Sequence, residues 1–197
     1  MTEIAKRGAV RIRESDDLQD FKMDGTHSSI VENTGLGGLP TNNWRSGEFE
    51  NAKSLMPEAW NEELIKPGTC YACAQSCKRH VDSSKTDQLD PKYGGPEYET
   101  VGMCGSNLGI SDKLAICRIN EIAAKYAFDT ISFGATLSFI FECFDLGIIG
   151  LKDTDGINCS FGNADSAVKI AELTGRGEGF GRQVAKGSAV LAKVFGK

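Results

Sequence analysis

The 197-residue sequence predicts a mainly α protein with a loop-rich N-terminal part. Two observations carry that prediction. Apolar residues recur at helical spacing from Ser111 to the C-terminus, and no run alternates with period two for long enough to build a sheet. A third shapes the N-terminal part: up to Trp44 the chain is polar, poorly periodic and punctuated by glycine and proline.

Taken in order, residues 1–33 form a weakly packed lead-in, with a short strand expected at Gly8 to Ile12 and an acidic stretch at Glu14 to Asp17. Residues 34–197 form the body. It opens on TGLGGLPTNNW (Thr34 to Trp44), a loop whose Pro40 and glycines set turns; it lacks the Gly-x4-Gly-Lys-Ser/Thr pattern of a phosphate loop. Ser111 is placed to cap the first long helix, with Asp112 complementing its positive end and Ile116, Ile119, Ala123 and Tyr126 on one face. A second helix places Phe133, Leu137, Ile140 and Phe144 on a wide apolar stripe and stops at Gly147. Asn163 caps a third, striped by Ala164, Ala167, Val168 and Ala171. A glycine-punctuated link at Gly175 to Gly181 leads to a last helix over Gln183 to Phe195. DTDG (Asp153 to Gly156) reads as a turn, because the acidic spacing and closing Glu of a calcium loop are missing.

Composition narrows the function classes. The formal charge is −5, with 25% charged residues, and no basic stripe suits a phosphate backbone, so nucleic acid is not an expected partner. The longest apolar stretch, Ile131 to Ile149, is broken by Glu142 and Asp145, and the charged N-terminus holds no signal-type apolar run. No membrane partner is expected. Seven cysteines, an odd number with three tightly clustered, fit reduced thiolates on a metal in a cytoplasmic setting better than disulfides.

Those three, Cys70, Cys73 and Cys77, stand in GTCYACAQSCKRH as C-x2-C-x3-C behind the Pro67-Gly68 turn. A short turn at this spacing can bring three soft Sγ atoms onto one centre, which suits an iron-sulfur cluster or zinc. Spacing leaves both open. His80, three residues past Cys77, would complete a zinc knuckle, and Cys104 is the best fourth ligand within the chain. Cys117 and Cys143 fall inside helices and read as core. In GGPEYET, expected as a loop just after the cysteine run, Glu97 and Glu99 flank a tyrosine: either could act as a general base beside a redox centre, or both are solvated or helix-capping groups.

The order CYACAQSC, GPEYET, GSNLGISD, NEIAAKYAFDTIS, then DTDG followed by FGN, resembles the middle domain of the tungsten-dependent aldehyde:ferredoxin oxidoreductases. LPTNNW resembles the entry to that domain, and the resemblance runs from about Gly35 to the end of the chain. It implies a helical middle domain of that type in which Cys70, Cys73 and Cys77 hold a 4Fe-4S cluster, the fourth cysteine lying in a later domain. It also implies a tungsten or molybdenum bis-pterin shared with domains outside this chain, and a Glu99 that handles protons beside the metal. The activity implied is oxidation of an aldehyde to a carboxylic acid, with electrons passed to ferredoxin or another carrier. The tungsten subunit of a benzoyl-coenzyme A reductase belongs to the same superfamily and is a close variant; a non-catalytic zinc or iron-sulfur module is the rival from another class.

Two departures qualify what is carried over. The family's pterin pattern, Asp-x-x-Gly-Leu-Asp, falls on Ala124 to Asp129: Asp129 matches, Phe128 is a conservative apolar replacement, Ala127 stands for glycine, and Ala124 offers no carboxylate. The carboxylate that in some members binds a bridging metal at a dimer axis falls on Arg118, which only donates. The family's preceding β domain has at most a remnant in the lead-in, and its final helical domain has no counterpart. The 197 residues are therefore expected to be a fragment or split subunit, working with the missing domains or in a homo-oligomer.

Overall fold

In a computed structural model, which describes residues 2–196, the body is helical as the periodicity predicts. The three stripes become α6 (Lys113–Tyr126), α7 (Thr130–Asp145) and α8 (Ala164–Arg176), in a numbering in which α1 to α5 precede them. Ile116, Ile119, Leu137, Ile140, Ala167 and Ile170 are each at most 0% exposed, so the faces read from the sequence are the faces that pack. α6 lies against α8. The caps follow the polar side chains: Asn163 accepts the Ser166 N–H at 3.1 Å, and Gly147 takes the left-handed turn (φ 68°) after α7. At α6 the cap is Asp112, accepting the Ala115 N–H at 3.0 Å, and not Ser111. The helix begins one residue later than expected, which puts the carboxylate, not the hydroxyl, within reach of the free N–H groups.

Three further expectations are corrected. Gly8 to Ile12 is not a strand: it lies inside α1 (Thr2–Glu14), where Ala, Lys, Arg and Glu favour helix and only Ala9 and Ile12 are half-shielded. The lead-in continues as α2 (Asp16–Asp24) and α3 (Ser28–Gly35); α1 and α2 bury no residue, while Ile30 of α3 is 0% exposed within the same core as α6 to α8. The stretch ending GPEYET is a loop only as far as Glu97, after which Tyr98–Cys104 forms α5; Pro57–Glu63 forms α4 around the buried Trp60. The last helix is two: α9 (Gly181–Val184) and α10 (Ser188–Phe195), separated where Gly187 turns left-handed at φ 81°.

A two-stranded antiparallel ribbon, β1 (Ile65–Gly68) and β2 (Lys78–Val81), escaped the periodicity test because each strand is four residues long and β1 holds Pro67 and Gly68. Ile65 pairs with Val81 at the buried end, and Gly68 pairs with Lys78 at the open end. Among the described residues, no helix is long and apolar enough to cross a membrane.

The contact that organises the rest is α5 on α7. Thr100 meets Thr130 at 2.8 Å between hydroxyls, and farther along Asn107 donates to the Ser138 hydroxyl at 3.1 Å. A Cβ on Gly134 would lie 2.6 Å from the Met103 carbonyl oxygen. Residue numbers rise together on both sides, so α5 and its 3-10 extension (Ser106–Leu108) run parallel to α7, at a spacing only glycine permits at position 134. LPTNNW locks this pair from outside. Asn42, Asn43 and Trp44 turn left-handed in succession and aim their N–H groups at the carbonyls of Ser106 and Asn107 and at the Asn107 side chain. The Asn43 amide also reaches Glu142 of α7 at 2.6 Å.

Candidate functional site

The ribbon presents the cysteine run as its connecting loop. Cys70 and Cys73 are exposed and Cys77 is half-buried, and Tyr71 between them is fully exposed. The Cys73 N–H bonds the Cys70 carbonyl at 3.1 Å, and the Thr69 hydroxyl reaches the carbonyls of both Cys70 and Cys73. Ala72 and Ser76 take left-handed conformations (φ 54° and 55°), which curl the loop back on itself. Among the described residues, no three His, Cys, Asp or Glu side chains converge on one metal position. The donor set nevertheless fits a soft metal centre: three thiols share one loop and none of them takes part in the core, so turning them inward costs no buried packing.

The other four thiols are core residues. Cys104 is 0% exposed, donates to the Thr130 carbonyl at 3.5 Å, and is pushed up to about 12 by burial and then by the nearby Asp129 charge. That removes it as the fourth ligand: its thiolate is inaccessible and costly to form. Burial likewise pushes Cys159 up to about 12 and raises Cys117 and Cys143. His80 covers Gly68 at the base of the loop, where a Cβ would fall on the imidazole.

The loop is tied to the carboxylates through β2. Arg79 leaves its carbonyl to accept the Gly95 N–H at 3.0 Å, which fixes the start of GGPEYET. Two residues on, the Glu97 carboxylate accepts the Thr26 hydroxyl at 2.5 Å, and the Tyr98 N–H donates to the same hydroxyl at 2.9 Å. Glu97 is thus engaged in holding the lead-in, while Glu99, one turn-start later on α5, is exposed. Because α5 and α7 run parallel with Thr100 against Thr130, Glu99 and Asp129 come to the same end of the two helices.

Asp129 is the α7 N-cap: its carboxylate accepts the Ser132 N–H at 2.6 Å, and this bonding holds it below the usual carboxylate range. Phe128 is half-buried and tilts against Phe133 with ring centroids 5.2 Å apart. With Thr136, Thr174, Val184 and Gly187, these residues line a cleft of about 130 Å³. Ala127 ends α6 in the left-handed region (φ 58°, ψ 47°), the conformation that a glycine would take without strain.

The structure therefore gathers the predicted residues into two places, the thiol loop and the Glu99–Asp129 edge, linked through Arg79 and Gly95. Arg118 stands apart from both, bridging Glu121 at 2.9 Å and Glu172 at 3.7 Å. Sequence reasoning missed Arg79, Thr26 and Thr100, whose partners lie tens of residues away. Only the burial of an arginine directly after a cysteine run marks one of them, and burial is not visible in sequence.

The domains 2 and 3 family model of aldehyde ferredoxin oxidoreductase matches residues 3–197, so this chain belongs to the aldehyde ferredoxin oxidoreductase family. It is 34% identical over 171 residues to the tungsten-containing aldehyde ferredoxin oxidoreductase of Pyrococcus abyssi, a match covering 85% of this chain and 27% of that protein. The tungsten-containing aldehyde ferredoxin oxidoreductase of Pyrococcus horikoshii is 33% identical with the same coverage. An aliphatic sulfonate oxidoreductase WOR-like subunit of Pyrococcus furiosus is 25% identical over 165 residues, covering 79% of this chain and 26% of the relative. The chain spans about a quarter of the length of these curated relatives. In fold it is similar to the active site complex BamBC of benzoyl coenzyme A reductase in complex with 1,5-dienoyl-CoA, with a TM-score of 0.64 at 18% identity. That superposition covers 88% of this chain and 26% of the other.

Proposed function

We propose that this chain is the cluster- and pterin-binding middle domain of a tungstopterin oxidoreductase that oxidises aldehydes to carboxylic acids and delivers the electrons to ferredoxin or a similar carrier. The observation that carries the reading is the joining of a three-thiol loop to a carboxylate edge by one short ribbon and one helix. Family membership agrees with it.

On this reading Cys70, Cys73 and Cys77 hold a 4Fe-4S cluster, with the fourth ligand supplied from outside the described residues. The cluster supplies one-electron transfer and a bis-pterin metal supplies the two-electron step; the protein's part is positioning and electrostatics. Glu99 holds or moves a proton at its exposed carboxylate, which other domains would enclose. Asp129, fixed as a cap, offers its remaining lone pairs to a pterin donor, and Phe128 closes the apolar side of the cleft. The loss of the carboxylate at Ala124 leaves Asp129 the single acid of this segment.

The test is anaerobic reconstitution of the chain with iron and sulfide in the presence of a small thiol. The broad visible absorption of a 4Fe-4S cluster is expected, and each of Cys70→Ser, Cys73→Ser and Cys77→Ser should lower bound iron and sulfide severalfold. A stable four-ligand zinc site in the isolated chain would overturn the reading. In the complete enzyme, unchanged turnover in Glu99→Gln would remove Glu99 from the mechanism while leaving the cluster assignment standing.

A further inference from the structure

Arg79 is an arginine with 0% exposure that the mechanism above does not use. Its guanidinium donates only to carbonyls: Nη2 to Lys22 at 2.6 Å, Nη1 to Met23 at 2.9 Å, and Nε to Cys77 at 3.3 Å. Among the described residues it forms no salt bridge. The nearest carboxylates act only through space, and Glu97 is bonded to Thr26. The site is closely built around the cation. Gly25 turns left-handed at φ 61°, and a Cβ there would lie 2.6 Å from both the Arg79 Nε and the Cys77 carbonyl oxygen.

Lys22 and Met23 belong to the last turn of α2, so the guanidinium also caps that helix. Capping does not account for its burial. A cation at a helix C-terminus gains modestly even when partly buried, whereas withdrawing an ion from water without a hydrogen-bonded counter-ion is the larger cost. A neutral donor or water would serve an exposed helix such as α2 at lower cost. Glu97 and Asp24 offset this charge only through space, without an ion pair, and Arg79 is bonded to the backbone of the last cysteine in the thiol run.

We infer that Arg79 is a fixed, buried cation that, beyond its through-space partners Glu97 and Asp24, acts on the anionic thiolate-ligated centre at Cys70, Cys73 and Cys77, and that it raises the reduction potential of that centre. This rests on the cluster reading given above. When the centre takes up one electron its negative charge grows, and a cation held in a low-dielectric setting favours the more negative state. Arg79 is thus a positioning and charge-setting residue, not a catalytic one: it holds the Cys77 carbonyl and sets how readily electrons rest on the centre.

The experiment is an EPR-monitored redox titration of the chain reconstituted anaerobically with iron, sulfide and a small thiol, as wild type, Arg79→Gln and Arg79→Lys. Removing the charge in Arg79→Gln should make one-electron reduction about tenfold less favourable, a fall of about 59 mV. Arg79→Lys, which keeps the charge, should stay close to wild type. If Arg79→Gln shows reduced helix content by circular dichroism, Arg79→Met takes its place, since it fills the volume without leaving buried donors unpaired. A neutral variant with a wild-type potential overturns the inference and leaves the cluster reading intact. So does a lysine variant that falls as far as the neutral one, because the effect would then be geometric. Failure of the wild type to assemble any cluster removes both.

Discussion

His27 makes stability depend on pH. Its ring is 1% exposed, stacks on Trp60 with centroids 5.2 Å apart and planes 12° from parallel, and neither nitrogen makes a well-formed hydrogen bond. Burial, and then the charge of Arg79, lowers its pKa from 6.5 to about 4, and the Pro96 backbone opposes this only as the smallest of the causes. The folded state therefore holds the neutral ring where the unfolded chain takes up a proton, so stability is full above pH 6.5 and is lost as pH falls toward 4. At ~1.36 kcal/mol per pKa unit this drop corresponds to about 3 kcal/mol. The comparison protein is His27→Phe, which keeps the stack and cannot titrate. Urea unfolding followed by circular dichroism between pH 7 and 4 should show wild type losing about 3 kcal/mol more than His27→Phe. Asp82, Asp90 and Asp129, held below their usual range, titrate under this window, and Asp24, raised by burial, is common to both proteins. Equal pH slopes in the two proteins would refute the reasoning, because the buried neutral imidazole is then not what acid attacks.

Two further outcomes follow from backbone geometry. Gly134→Ala places a Cβ 2.6 Å from the Met103 carbonyl oxygen, where backbone rather than a flexible side chain must yield. Overpacking of ~1–3 kcal/mol should outweigh the ~1 kcal/mol gained in helix propensity and lower the melting temperature; a melting temperature at or above wild type would mean that α5 and α7 are not in contact there. Ala127→Gly relieves a left-handed alanine at φ 58° and should stabilise the chain by about 1 kcal/mol in the same urea assay. A destabilised Ala127→Gly would contradict the left-handed end of α6.

What the sequence decided on its own was local. Ile116, Ile119 and Ala123 face the core because 3.6-residue periodicity leaves no other face for them, and Asn163 caps because an amide at that position meets the free N–H groups wherever the helix goes. The three-thiol loop was legible for the same reason: its donors lie within eight residues, and soft ligands are recognised from residue type and spacing alone. Single short windows misled where a pattern needed more chain to declare itself, as at Gly8 to Ile12 in α1, or where one glycine changed hand, as at Gly187.

Tertiary structure decided everything that depends on who meets whom. Cys104 looked like a fourth ligand by position and is a core thiol because α5 lies flat on α7. Glu97 and Glu99 were equivalent in the text of GGPEYET; Thr26, seventy-one residues away, took Glu97 and left Glu99 free. The charge beside the cysteines is likewise set by burial of Arg79 under α2. Periodicity and capping are short-range and can be read along the chain. Desolvation and pairing depend on neighbours brought in from far along it, and only the folded packing supplies them.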